Sequence, residues 1–215
     1  MNARLAGGAV IAALALVSLG SASSLTVSSA GLATDEVGTC TAAAAADTYV
    51  DQSALQAGSS FGTEQTLSVR SQTLANRRAF VRFDFSSCGI PGAANVTGAE
   101  LRLMLTTAPG SSSTHLLHRV TGAWTEASTW NTQPDVAASA TASADTGTTA
   151  GATMTWTSPT LVADVQEWVD GTTTSDGWRI SDSAESAFVA ATAAYGAREH
   201  ATATSRPVLF VTYEL

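Results

Sequence analysis

Residues 76–85 read NRRAFVRFDF: three arginines, three phenylalanines and an aspartate in a chain that contains no lysine. A guanidinium fork can hold a carboxylate through two parallel N–H bonds, and an aromatic ring packs on the apolar face of a sugar. Strand parity divides the stretch. Ala79, Val81, Phe83 and Phe85 point one way, with Arg77 at the edge, while Arg78, Phe80, Arg82 and Asp84 point the other. The first set is a core face. The second either grips an acidic sugar or forms a solvated outer face whose arginines are neutralised by Asp84 and Glu199.

Other chemistry is sparse. The sequence has no GxSxG elbow, no HExxH, no phosphate-binding glycine loop and no lysine for a Schiff base. His115 and His118 sit three apart, which on a strand places them on opposite faces and forbids one shared ion; His200 has no companion. A glycosidase-type acid/base pair needs two carboxylates at a set separation in space, so no enzyme is expected from the carboxylates alone. Asp47, Asp51, Asp176 and Asp182 fall near strand ends and turns, where a structural calcium would draw its ligands. Without EF-hand-like spacing they read first as solvated turn residues. That calcium is the only cofactor left open. Trp124, Trp130, Trp156, Trp168 and Trp178 offer indole faces for stacking on sugars, yet most must fill the core of a chain with so few aromatics.

These residues need a frame, and the apolar pattern supplies one. In AELRLMLT, Ala99, Leu101, Leu103 and Leu105 share a face against Glu100, Arg102 and Thr106. The same period predicts strands at 47–50, 66–70, 115–120, 153–157, 177–181 and 208–213, with Gly, Pro, Asn and Ser clusters separating most of them. SPTLVADVQEWVDG breaks the period. Ser158 can cap, Pro159 suits a first turn, and Leu161, Val165 and Trp168 fall on one face, so a helix is predicted over Pro159–Val169. Residues 135–152 have too little bulk to anchor a core and read as a loop or an ill-defined edge strand. The expected fold is all-β, an antiparallel β-sandwich of jelly-roll type with one short helix.

The N-terminus points to export. Arg4 precedes an apolar and small-residue run over 5–19 and the small-residue exit GSAS, the pattern of a secretory signal peptide within residues 1–30. Cleavage after Ala22 fits, with sites as late as Ala33 open and an uncleaved anchor as the alternative. Residues 31–45 show no period and read as a flexible leader, so ordered sequence is expected from Ala46. Outside the cytosol a lone cysteine pair closes, which predicts a Cys40–Cys88 disulfide. A net charge of −8 and a pI near 4.7 exclude a strong nucleic-acid footprint. With the signal removed, no membrane association is expected.

The order of motifs adds a family. ADTYVD, FGTEQTLSVRS, RRAFVRFDFS, GAELRL, HRVTGAWTEASTWNTQP, LVADVQEWVDG, GWRIS and RPVLFVTYE, over residues 46–215, together resemble the DNRLRE domain, also described as carbohydrate-binding module family 96. The W-T-E-x-x-T-W-N-x-x-P run over 124–134 is the most specific element. The resemblance implies a jelly-roll β-sandwich and non-catalytic glycan binding, with acidic polysaccharides such as alginate among the ligands. It matches Trp124, Glu126, Trp130, Pro134, Trp168 and Glu199 to family positions, and Glu199 is expected to pair with an arginine of the opening strand, Arg82.

The expected function is a secreted, non-catalytic carbohydrate-binding module whose partner is an extracellular polysaccharide. A structural or adhesive surface protein is the alternative, and a polysaccharide-degrading enzyme the third.

Overall fold

The computed structural model describes residues 36–215; the expected signal peptide lies outside them. Ten strands and one helix follow in the order β1 (Val37–Asp51), β2 (Thr66–Ser71), β3 (Arg77–Phe83), β4 (Asn95–Thr107), β5 (Thr114–Arg119), β6 (Ala142–Asp145), β7 (Thr153–Trp156), α1 (Pro159–Val169), β8 (Trp178–Asp182), β9 (Ala191–Gly196) and β10 (Val208–Glu214). All pairings are antiparallel. β1, β10, β4, β9, β2 and β3 pair in a closed, barrel-like ring of six, while β8, β5 and β6 extend outward from β3 and β7 joins β4.

Two long strands make the closure. Residues 37–43 of β1 pair with β10 and residues 44–51 pair with β3, with a bulge between Ala44 and Ala46. β4 likewise pairs with β10 and β7, then from Leu105 with β9, where the register shifts between Leu105 and Thr107. A bulge bends a strand and raises its twist, which lets each strand serve two sheet segments.

The alternation in AELRLMLT is realised: Ala99, Leu101, Leu103 and Leu105 are buried and their neighbours are not. They join Val81, Phe83, Leu117, Trp156, Trp178, Ile180, Tyr195 and Leu209 in the main core. α1 closes one side of it with Leu161, Val165 and Trp168, the last set 4.6 Å from the Trp178 ring. Its start is as predicted, with Ser158 Oγ accepting from the Leu161 N–H at 2.9 Å and Pro159 in the first turn. Cys40 of β1 and Cys88, in a 3₁₀ turn after β3, form the expected disulfide across a Cα separation of 5.6 Å.

Two readings change and one open choice is decided. The second part of the supposed leader is strand, because β1 starts at Val37 and its alternate alanines, Ala42, Ala44 and Ala46, are buried. Residues 135–152 do hold an edge strand, β6, paired with β5. β9 went unpredicted; its alanines give no contrast between a wet and a dry face, yet Ala193 and Tyr195 are buried.

Candidate functional site

The outer face of β3 is covered, which sequence parity does not foresee. Parity itself holds: Ala79, Val81 and Phe83 enter the main core, with Phe85 half-buried beyond the strand end. Phe80, expected on a wet face beside three polar side chains, is fully buried. It belongs to a second cluster with Ala46, Val50, Val120 and Trp124, flanked by Trp130 and Val136. The lid on this cluster is the run over 121–136, whose ends meet through the Thr121 N–H to the Asp135 carbonyl and the Val120–Val136 bridge. Trp124 packs its ring 5.8 Å from that of Phe80 and donates its indole N–H to the Asp176 carbonyl at 2.8 Å. Pro134 stands half-buried near the end of this run.

Phe80 is therefore withdrawn as a ligand residue, and the polar groups around it part company. Arg78 lies 4.5 Å over the Trp130 ring, binds Glu185 with two bonds of 2.6 Å and donates to Gln133 at 3.0 Å. It is neutralised by a residue that sequence analysis did not single out. Arg82 stacks 5.3 Å from Trp124 and donates to the Trp124 carbonyl at 3.3 Å, with no carboxylate partner among the described residues. Asp84 is exposed and accepts from the Ser86 N–H and hydroxyl, which hold its carboxyl below the usual range.

Glu199 does not reach Arg82. It pairs with the adjacent Arg198 at 2.6 Å, and Arg198 also binds Glu126 at 2.7 Å. The Arg198 backbone N–H donates to Asp47 at 2.7 Å, and the Asp47 N–H donates to Glu126 at 3.3 Å. This network pins the 121–136 lid and the turn after β9 to β1. Burial pushes the Asp47 carboxyl up to about 7, with Glu199 and Glu126 adding to the rise against the opposing Arg198.

The four aspartates offered for calcium are engaged separately. Asp47 serves this network, Asp51 accepts from Arg70 and Arg77, Asp182 faces His115, and Asp176 accepts from Thr174. No group of three or more metal-ligating side chains suited to an ion occurs among the described residues. His115 and His118 do lie on opposite faces. His115 is in the core, with Nδ1 2.7 Å from the Tyr195 hydroxyl, and burial lowers its pKa to about 4. His118 lies on the outer side with Nδ1 2.9 Å from the Ala137 carbonyl.

Beside Arg82 opens a cavity of about 590 Å³. Phe83, Phe85 and Trp168 line its apolar part, and Arg82, Asp84, Ser86, Ser175 and Asp176 its polar part. Phe85 and Trp168 are 6.2 Å apart, so the end of β3 and the helix build one aromatic wall. An aromatic wall facing hydroxyl and charged side chains in an open, largely polar cleft suits a sugar ring, which offers one apolar face and a rim of hydroxyls. Sequence analysis named Arg82 and Asp84 for binding; Phe85 and Trp168 it assigned to packing. A second cavity of about 570 Å³ lies across residues 174 and 176, lined by Arg119, Glu167 and Thr173. Arg119 there is already bound to Asp164 and Glu167.

No helix among the described residues is long and apolar enough to cross a membrane. A search of curated proteins gave no match. The sequence model of carbohydrate-binding module family 96 matches residues 38–213, from the start of β1 to the end of β10, so the lid, the ring and the cavity all fall within the match. On that extent, the chain belongs to carbohydrate-binding module family 96.

Proposed function

We propose that this is a secreted, non-catalytic module that binds an acidic polysaccharide of the alginate type, in the cavity where Arg82 meets Phe85 and Trp168. The observation that carries the proposal is the family match across the whole described domain. Arg82 says where. It forms no ion pair among the described residues although Asp84 and Asp176 line the same cavity, it stands beside an aromatic wall, and its fork suits the carboxylate of a uronic acid. The disulfide fits an oxidising, extracellular setting. The two long shared strands, β1 and β4, favour a jelly-roll topology in which the ring is two sheets joined at their edges.

The test is retention on a panel of immobilised alginate, pectate and neutral glycans, with and without a calcium chelator. Retention on the acidic polymers without release of reducing or unsaturated ends is expected. Absence of retention on every polymer, or product formation, would refute it.

A further inference from the structure

Arg179 on β8 stands across from Phe80 on β3 and from His118 on β5, on the same outer face as Arg78. It is half-buried, and its Nε is shut from solvent with no acceptor among the described residues. Arg78 and Glu185 are the charged groups that act on it. Glu185 does not satisfy it: its oxygens bond Arg78, and no hydrogen bond or ion pair joins it to Arg179. Burial first, and Arg78 second, depress the Arg179 pKa to about 10, which still leaves it charged at neutral pH.

A half-buried guanidinium whose Nε has no acceptor is a standing cost to the fold. Here the cost comes with a purpose-shaped geometry. A second guanidinium, Arg78, is held rigid next to it by Trp130, Gln133 and Glu185, so the patch keeps an excess positive charge on a protein whose net charge is −8. The closed-off Nε cannot meet a ligand, but the Arg179 Nη groups are not shut in and donate to nothing among the described residues; such donors beside a fixed cation match an oxyanion.

We propose that Arg179, with Arg78 beside it, is a second contact for the polysaccharide, binding an anionic group, carboxylate or sulfate ester, on a sugar residue. This rests on the glycan reading for the identity of the polymer and adds a site to it. Arg78 and Arg82 are four residues apart on β3, about 13 Å along the strand, so the new contact is displaced from the Arg82 cavity.

The full mature protein and its Arg179→Gln and Arg179→Lys variants are titrated with oligogalacturonate, sulfated dextran and a neutral oligogalactan. Arg179→Gln is expected to lose about 10- to 100-fold in affinity for one or both anionic probes, with Arg179→Lys recovering part. The neutral probe is unaffected. Loss on the uronate identifies a carboxylate, loss on the dextran a sulfate ester. The melting temperature of Arg179→Gln should equal or exceed that of the parent, because no protein partner is lost. Equal affinity of parent and Arg179→Gln for both anionic probes, or a melting temperature several degrees lower, would overturn the proposal. Should the parent bind no polymer, thermal shifts with D-galacturonate and inorganic sulfate separate the two ideas. Stabilisation of the parent beyond that of Arg179→Gln keeps the anion site while the glycan reading fails; equal shifts sink the site as well.

Discussion

Trp124 closes over Phe80 with the two rings 5.8 Å apart, and this contact seats the run over 121–136 on the outer face of β3. The run is a lid that makes the outer face of β3 a second, small core. Both side chains are almost fully buried, so truncating either leaves a cavity that neighbouring backbone cannot fill. Phe80→Ala and Trp124→Ala are each expected to cost about 3–5 kcal/mol in urea melts. The double variant should lose less than the sum, since each single change already breaks the shared contact. Strict additivity would disconnect the lid from the strand.

Arg82 separates binding from stability. Its partners are one carbonyl and one ring face, so Arg82→Gln should cost about 1 kcal/mol or less in stability. Retention on the acidic polymer should fall about tenfold or more, because the charge-assisted bond to the ligand is lost. Melting and affinity chromatography on one preparation test both statements.

Two buried groups bend the pH profile in opposite senses. The folded Asp47 pKa of about 7 lies above its ordinary 3.8, so the native state holds the extra proton between them and stability from this group falls as pH rises through that window. His115 is depressed from 6.5 to about 4, so the unfolded chain holds the extra proton and stability is lost as pH falls through that range. The windows overlap and offset. Asp47→Asn should therefore make stability climb more steeply from pH 4 to 6.5 than in the parent, and His115→Gln should make it climb less or decline. Denaturation midpoints at closely spaced pH values read the two slopes.

Ser158 does two things at the start of α1. Its hydroxyl oxygen accepts from the Leu161 N–H, and it donates to the Thr141 carbonyl at 2.6 Å, which ties the helix to the segment leading into β6. Ser158→Ala is expected to cost about 1–2 kcal/mol, above a simple cap, with hydrogen exchange speeding in the first helical turn. Ser158→Asp, able to cap but unable to donate, should lie between.

Reducing the Cys40–Cys88 bridge opens a loop with a sequence separation of 48 residues. The chain-entropy estimate for that length is about 4 kcal/mol. Melting with and without reductant should show the loss, and a Cys40→Ala/Cys88→Ala variant should reproduce it in the absence of reductant.

Legibility in the sequence followed contrast between neighbouring residues. β4 was plain because leucines alternate with Glu100 and Arg102, and α1 because Ser158, Pro159 and the apolar face agree. β9 and the first part of β1 were hidden for the opposite cause: alanine occupies buried and exposed positions alike, as in Ala42 and Ala43, so burial leaves no trace in residue type. Parity placed Arg78, Phe80 and Arg82 together correctly. It could not show that a lid some forty residues later covers the middle one. Nor could spacing tell that Glu199 would turn to Arg198 and leave Arg82 without a carboxylate. Arg179 was legible in principle, since it alternates with Trp178 and Ile180, but its lack of a partner is a three-dimensional fact.

β1 is bonded along its first half to β10, the last strand of the domain, and the Leu215 N–H reaches the Glu36 carbonyl at 3.1 Å. The ring thus cannot shut until the final strand has been delivered. Pairing the first and last strands of the described residues carries a large loop-closure entropy and a high contact order, which places folding in the slow, millisecond-to-second regime. Until then the first half of β1 and the facing edge of β4 stand open to strands of other molecules, so yield on refolding should fall with protein concentration.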